Sequence, residues 1–364
     1  MSVVLKIAVA ILRLVYAPIK LFPRRKKIAI LSRQGNEKSQ DIMALEECIH
    51  SMYPDVKLTV LVKMVGGTGY AFHMLRQMYA IATSRAVVVD GYCIAASVLN
   101  HKRGTKIIQM WHSSAAIKKF GYQCLDKESG HSSKTAEIMR MHRNYDYVIC
   151  PSMATGRMFC KGFDVPESVL RLYGLPRLEQ LVRSRKEEVN PAEDADADNR
   201  EIVLYVPTLR KVRPVDAASL AGAIDSDKYR LVVRLHPLDE IDDSCEEAID
   251  FGREYSTSQW LNNCDYIVTD YSALGIEGML LDKPMFFYVY DIEEYERETG
   301  LNINPLEEMS WCSSTDAGEI AAMLESEYDF SKLTALKEKY IEVNPENCTE
   351  RLAQFIVETA DGNN

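Results

Sequence analysis

Two kinds of apolar pattern alternate along the chain. Short runs rich in Val, Ile and Leu predict strands at 27–32, 58–63, 86–90, 106–111 and 147–151. Between them, stretches whose apolar residues recur every three to four positions predict helices at 40–52, 70–84, 92–101, 134–143 and 153–161. Strands that alternate with helices imply βαβ units and a mainly parallel sheet. Residues 186–201 (KEEVNPAEDADADNRE) break the pattern, being acidic, Pro-containing and nearly free of apolar side chains, and they mark the best domain boundary in the chain. The grammar then resumes, with strands near 202–206, 230–235, 266–269 and 285–290 and amphipathic helical segments at 315–327, 331–343 and 347–359. Two α/β domains facing a cleft is the architecture this predicts.

The first residues follow neither pattern. Residues 2–22 are strongly apolar yet carry Lys6, Arg13 and Lys20 at seven-residue spacing, which places the charges on one narrow stripe of a helix. Arg13 leaves no uncharged run near the ~20 residues of a spanning helix, and no signal-peptide core or cleavage site is evident. Arg24, Arg25, Lys26 and Lys27 follow directly. An apolar helix with a cationic edge and a basic cluster behind it fits a helix lying in an anionic membrane surface. The alternative is an amphipathic helix docked on its own domain or on another subunit.

Composition narrows the picture. At 364 residues, 47% hydrophobic and 26% charged, the chain has material for two cores. The net charge of -10 gives no global attraction to nucleic acid, so a phosphate site must concentrate positive charge locally. Nine scattered cysteines with no C-x-x-C pair argue for a reducing compartment and against a disulfide framework. No metal-binding motif and no cofactor motif stands out. Gly66-Gly67-Thr68-Gly69 lacks the dinucleotide register and reads as a turn.

Candidate chemistry gathers at the carboxyl ends of expected strands, where open α/β sheets bind ligands. His112, after Trp111, could accept a proton from a substrate hydroxyl, or could be a structural histidine. Lys118 and Lys119 follow and could face a phosphate. Thr208 and Arg210, with Lys211 and Arg213 behind, form a basic, hydroxyl-bearing edge. Arg234 and His236 point to one side of a strand end. Thr269, Asp270 and Ser272 close another strand ahead of a helix carrying Glu277, which suits an anion or is an ordinary helix cap.

These blocks, in this order, resemble a known family. Trp111-His112 with Lys118-Lys119 and Gly121 resembles W-H-G-x-x-x-K-x-x-G. Val206-Pro207-Thr208-Leu209-Arg210 resembles A-P-T-W-R, and Arg234-Leu235-His236-Pro237 resembles R-x-H-P. Asp265 to Glu277 resembles D-x-x-I-T-D-Y-S-S-x-x-F-D, and Lys283-Pro284 with Tyr288 and Tyr290-Asp291 resembles the K-P-x-x-x-Y-x-x-D that follows. Together they resemble the CDP-glycerol glycerophosphotransferase family of teichoic-acid primases and polymerases.

That resemblance implies a GT-B-like fold of two Rossmann-like, doubly wound domains. The expected divisions are a membrane-interface helix over 1–24, an acceptor domain over 25–185, the linker 186–201, a donor domain over 202–345, and a C-terminal helix over 346–364 that could cross back. It implies transfer of glycerol phosphate from CDP-glycerol to a hydroxyl of a lipid-linked acceptor, with release of CMP, at the cytoplasmic face of the cell membrane. His112 becomes the candidate base. Thr208, Arg210, Arg234, His236, Thr269, Asp270, Ser272 and Glu277 become donor-binding candidates. No cofactor, metal or nucleic acid is implied, and a homo-oligomer is compatible with it. Ser113 replaces the motif glycine, Ser114-Ala115 a Thr-Pro, Ala273 a second serine, and Thr299 an arginine; the missing arginine bears on donor-phosphate affinity and on which donor is used. CDP-ribitol, a nucleotide sugar in a glycosyltransferase, and a non-catalytic member are the alternatives.

Overall fold

A computed structural model describes residues 2–66, 69–127, 130–184, 199–210, 215–235, 250–253 and 255–362. The expected linker lies almost wholly outside the described residues, as do Lys211, Arg213 and His236. The chain divides into two compact units, one formed by residues 1–114, 119–179 and 340–364, the other by 115–118 and 180–339.

The first unit carries a six-stranded sheet: β1 (Lys27–Ser32), β2 (Lys57–Val62), β3 (Ala86–Val89), β4 (Lys106–Gln109), β5 (Tyr147–Cys150) and β6 (Leu170–Leu172). Every pairing is parallel, in the order β2-β1-β3-β4-β5-β6. β3 is Ala-Val-Val-Val with all four residues buried, the signature of a strand covered on both faces. One core joins Ile28, Ile30, Val88 and Ile108 of the sheet to Leu45 and Ile49 of helix Gln40–Met52. The C-terminal helix Cys348–Asp361 adds Leu352, Phe355 and Ile356 to the same core, so the last residues of the chain complete the first unit.

The second unit carries five parallel strands: β7 (Glu201–Val206), β8 (Tyr229–Val233), β9 (Tyr266–Thr269), β10 (Met285–Tyr288) and β11 (Ser313–Ser314), in the order β11-β10-β9-β7-β8. The strand order reverses between β1 and β3 in one sheet and between β7 and β9 in the other. These are the positions where ligands enter open sheets.

Two local readings of the sequence were overridden. The helix expected over 134–143 ends at Ile138, and Arg140, His142 and Asn144 then take positive φ. Tertiary bonds decide this: Asn144 Nδ2 donates to the carbonyls of Ala96, Ser97 and Leu99 at 2.9–3.1 Å, and His142 is buried against Phe163. The helix expected over 92–101 shortens to Ile94–Val98 for the same reason, since Asn144 caps its end. β6 had no forecast; three residues are too few for a periodic signal.

The N-terminal helix Ser2–Ile19 docks through Val9 and Tyr16, both buried. Tyr16 Oη donates to Nδ1 of His101 at 3.1 Å, while His101 Nε2 donates to the Ala96 carbonyl. By length and composition alone the helix could cross a membrane. The basic cluster behind it is engaged with the protein: Arg24 donates to the Arg103 carbonyl, Lys26 pairs with Asp361 at 2.7 Å, and the Lys27 ammonium lies over the ring of Tyr79.

Candidate functional site

In the first unit, three neighbouring strands deliver their carboxyl ends to one spot. β1 ends in Ser32 and leads to Gln34, β3 ends beside Asp90, and β4 leads through Met110 and Trp111 to His112. Trp111 has φ 62, a costly conformation for a bulky side chain. It is held there by stacking on Phe120 at 4.9 Å and by an edge contact with Phe163 at 5.1 Å. Its backbone N–H donates to Gln109 Oε1 at 2.8 Å.

His112 bonds to the first unit through Nδ1. Nδ1 lies 3.0 Å from the carbonyl of Asp90, which can only accept, so Nδ1 carries the proton. Gln34 Nε2 donates to the second lone pair of the same carbonyl at 3.3 Å and also lies 3.0 Å from Nδ1. The accepting lone pair of the imidazole is therefore on Nε2. That is the arrangement a general base needs.

Asp90 itself is buried, and burial pushes its carboxyl up to about 6 despite a hydrogen bond from Ser32. Its Oδ2 has no partner among the described residues. Neither Gln34 nor Asp90 was singled out from the sequence. The available signal was weak: a polar residue closing each of the two strands that flank the reversal point.

The Trp-His motif is divided between the units. Residues 111–114 belong to the first unit, 115–118 to the second, and Lys119 to the first again. Within the second unit, Lys118 forms an antiparallel bridge with Leu301, and the Ile117 carbonyl accepts from Asn302 N at 2.7 Å. The Lys118 ammonium has its proton affinity lowered by burial, with Asp270 opposing that shift and Arg210 adding to it. The motif's closing glycine also has a physical reason. Gly121 takes φ 59, and a β-carbon there would collide with the carbonyl of Gly162.

Arg210 dominates the second unit's strand ends. Its side chain is 6% exposed. It pairs with Asp270 at 2.8 Å and with both oxygens of Asp291 at 2.9 and 3.2 Å, and it donates to the Thr208 carbonyl at 3.0 Å. Rings of Tyr271, Tyr290 and Tyr295 surround the guanidinium within 5.1–5.6 Å. Two buried carboxylates hold its proton more tightly than usual, outweighing the desolvation that opposes them. Asp270, fully buried, also accepts from Thr208 N at 2.9 Å, so one carboxylate ties β7 to β9 at the reversal point. Arg210 is thus first a tie among three strand ends.

The other candidates divide. Thr208 Oγ1 is buried with no partner among the described residues. Thr269 Oγ1 donates to the Val206 carbonyl at 2.8 Å. Ser272 Oγ accepts from Leu274 N at 3.3 Å, a local turn bond just ahead of a helix of only four residues, Leu274–Glu277. Arg234 donates to the carbonyls of Phe251 and Gly252 at 2.9 and 2.8 Å, which anchors that loop. Glu277 is buried.

Known proteins fit this geometry. The family model described as CDP-Glycerol:Poly(glycerophosphate) glycerophosphotransferase matches residues 15–358. A teichoic acid ribitol-phosphate primase of Bacillus spizizenii is 28% identical over 354 residues, covering 91% of this chain and 90% of the relative. A teichoic acid glycerol-phosphate primase of Bacillus subtilis is 25% identical over 293 residues, covering 78% of this chain and 76% of the relative. The solved structure of the wall teichoic acid polymerase TagF superposes with a TM-score of 0.71 at 19% identity, over 98% of this chain and 95% of that one, and so shares the fold, GT-B-like as expected. With the match running through both sheets and every block quoted from the sequence, the chain belongs to the CDP-glycerol:poly(glycerophosphate) glycerophosphotransferase family and is a transferase.

Proposed function

We propose that the chain transfers glycerol phosphate from CDP-glycerol to a hydroxyl on a lipid-linked acceptor at the cytoplasmic face of a membrane. His112 Nε2 takes the proton of the acceptor hydroxyl. The acceptor oxygen bonds to the phosphorus that bears glycerol, the bond from that phosphorus to the bridging oxygen breaks, and CMP leaves with the electron pair. Such transfer needs positioning and charge stabilisation more than covalent help. Lys118, Thr208, Ser272 and His236 hold the diphosphate in this reading, and Arg210, Asp270 and Asp291 tie together the strand ends next to Thr208 and Ser272. The single observation that supports the reading is the bond from His112 Nδ1 to the Asp90 carbonyl, which leaves the Nε2 lone pair to take the proton.

A membrane seat is part of the same proposal. Val4, Ile7, Ile11 and Leu14 of the N-terminal helix are exposed, as are Phe72, Leu75 and Tyr79 of helix Tyr70–Thr83. Phe22 links the two, 5.3 Å from the Tyr79 ring. Apolar faces of this kind bury themselves in a headgroup layer.

The test is nucleotide release by the purified chain with a lipid acceptor, offered CDP-glycerol, CDP-ribitol and common nucleotide sugars separately. CMP release from CDP-glycerol that His112→Asn removes supports the reading. UDP or GDP release replaces it with glycosyl transfer. CDP-ribitol is the second donor reading, favoured by the length of the match to a ribitol-phosphate primase; CMP release from CDP-ribitol alone selects it.

A further inference from the structure

At 100° per residue, Lys6, Val9, Arg13, Tyr16 and Lys20 fall within an arc of roughly 80° on the N-terminal helix. Val9 and Tyr16 are the residues that dock, so the cationic stripe lies on the protein side of the helix and the exposed Val4, Ile7, Ile11 and Leu14 lie opposite. Those cations do not line the apolar face. Lys6 and Arg13 line a pocket instead.

That pocket, of about 370 Å³, is bounded by Lys6, Val9, Ala10 and Arg13 of the N-terminal helix and by Lys134, Glu137, Ile138 and Arg140. Four cations face it against one carboxylate. The two arginines are held by neutral acceptors: Arg13 Nε donates to the Val98 carbonyl at 3.4 Å, and Arg140 donates to Oδ1 of Asn100 at 2.9 Å and of Asn144 at 3.4 Å. The Arg140 backbone takes a positive φ of 48. Its proton affinity is lowered by burial and by the charges of Arg13 and Arg143, so the local field favours an anion. The volume suits a small charged group.

We propose that this pocket binds a phosphate carried on the headgroup of a membrane lipid, standing above the bilayer's own phosphodiesters. The height follows from the helix. An interfacial helix buries its apolar face ~5–10 Å into the headgroup boundary, and a helix is ~10–12 Å across. A pocket on the opposite side lies about one helix diameter further from the acyl chains. Ordinary phosphodiesters do not reach it, whereas a phosphate on an extended headgroup does. The inference rests on the membrane seat proposed above.

Vesicle sedimentation of the full chain tests it. The vesicles are phosphatidylcholine alone, or phosphatidylcholine mixed with phosphatidylglycerol or with phosphatidylinositol 4-phosphate, whose monoester stands off the surface. Lys6→Gln/Lys134→Gln removes two exposed rim charges without disturbing a buried contact, and Lys57→Gln/Lys161→Gln is the matched control. The pocket pair should lower partition onto the extended phosphate roughly tenfold, and the control pair about twofold at most. Equal loss in both pairs overturns the proposal, as does equal binding to the two anionic vesicles. Inorganic phosphate that competes fully at low concentration assigns the pocket to a soluble anion and also overturns it. Ile7→Asp/Ile11→Asp separates the two readings. Loss of binding to all vesicles upholds the membrane seat. Retained binding with the pocket-dependent increment intact sinks the seat and, with it, the height argument that assigns the pocket to an extended headgroup.

Discussion

The two reversal points are built from the same parts and use them in opposite ways. Each places an aspartate just past a strand end, Asp90 after β3 and Asp270 after β9. Asp270 is neutralised: Arg210 and a backbone N–H take its oxygens, and Asp291 completes the tie. Asp90 is not neutralised. Its carboxyl is buried with only the Ser32 hydroxyl and the backbone N–H groups of Asp90 and Arg33 to meet it, and its backbone carbonyl, rather than its charge, meets His112. One aspartate holds a scaffold and the other lies buried beside His112. A buried charge with a partner fixes structure, and one without a partner is carried at a cost in stability.

That contrast can be broken from either side. The largest effect is expected at His112. His112→Asn should lower CMP release about 10³-fold with donor affinity kept within about twofold; a matching loss of donor binding would make the imidazole a donor contact rather than a base. Arg210→Met should cost about 3–5 kcal/mol, read by denaturant unfolding, because it strands two buried carboxylates. Restoring much of that loss with Asp270→Asn in the same chain would confirm the tie. Unchanged stability with weakened donor binding alone would instead return Arg210 to the phosphate.

Asp90→Asn should act in the other direction. The folded chain holds the Asp90 proton up to about pH 6, above the ordinary carboxyl value of 3.8, so this group favours folding at low pH and opposes it once pH rises through 6. The substitution should therefore stabilise the chain by about 1–3 kcal/mol at pH 8 and by nothing near pH 4. A pH-independent difference would show that the carboxyl is not carried uncompensated. The smallest effect belongs to Lys118. Lys118→Met should weaken donor affinity about tenfold with stability unchanged, since its backbone bonds to the 301–302 segment remain. Lost stability with intact affinity would make its ammonium structural.

The sequence by itself determined the alternation of strands and helices, the parallel sheets and the family, because period, strand-end chemistry and ordered motifs are local properties of the chain. The place of His112 in the fold was legible for the same reason: it follows a strand of four residues and sits in a quoted block. Gln34 and Asp90 were not, since their role depends on β1, β3 and β4 lying side by side, and strand order is not written in any one strand. The sequence showed that Lys6, Arg13 and Lys20 share a stripe; only packing of Val9 and Tyr16 decided that the stripe turns toward the protein. Tertiary structure likewise decided that Arg210 is held by two carboxylates from distant strand ends. It also decided that the last helix completes the first core. Each of these is a contact between residues far apart in the chain, which periodicity cannot register and burial must select.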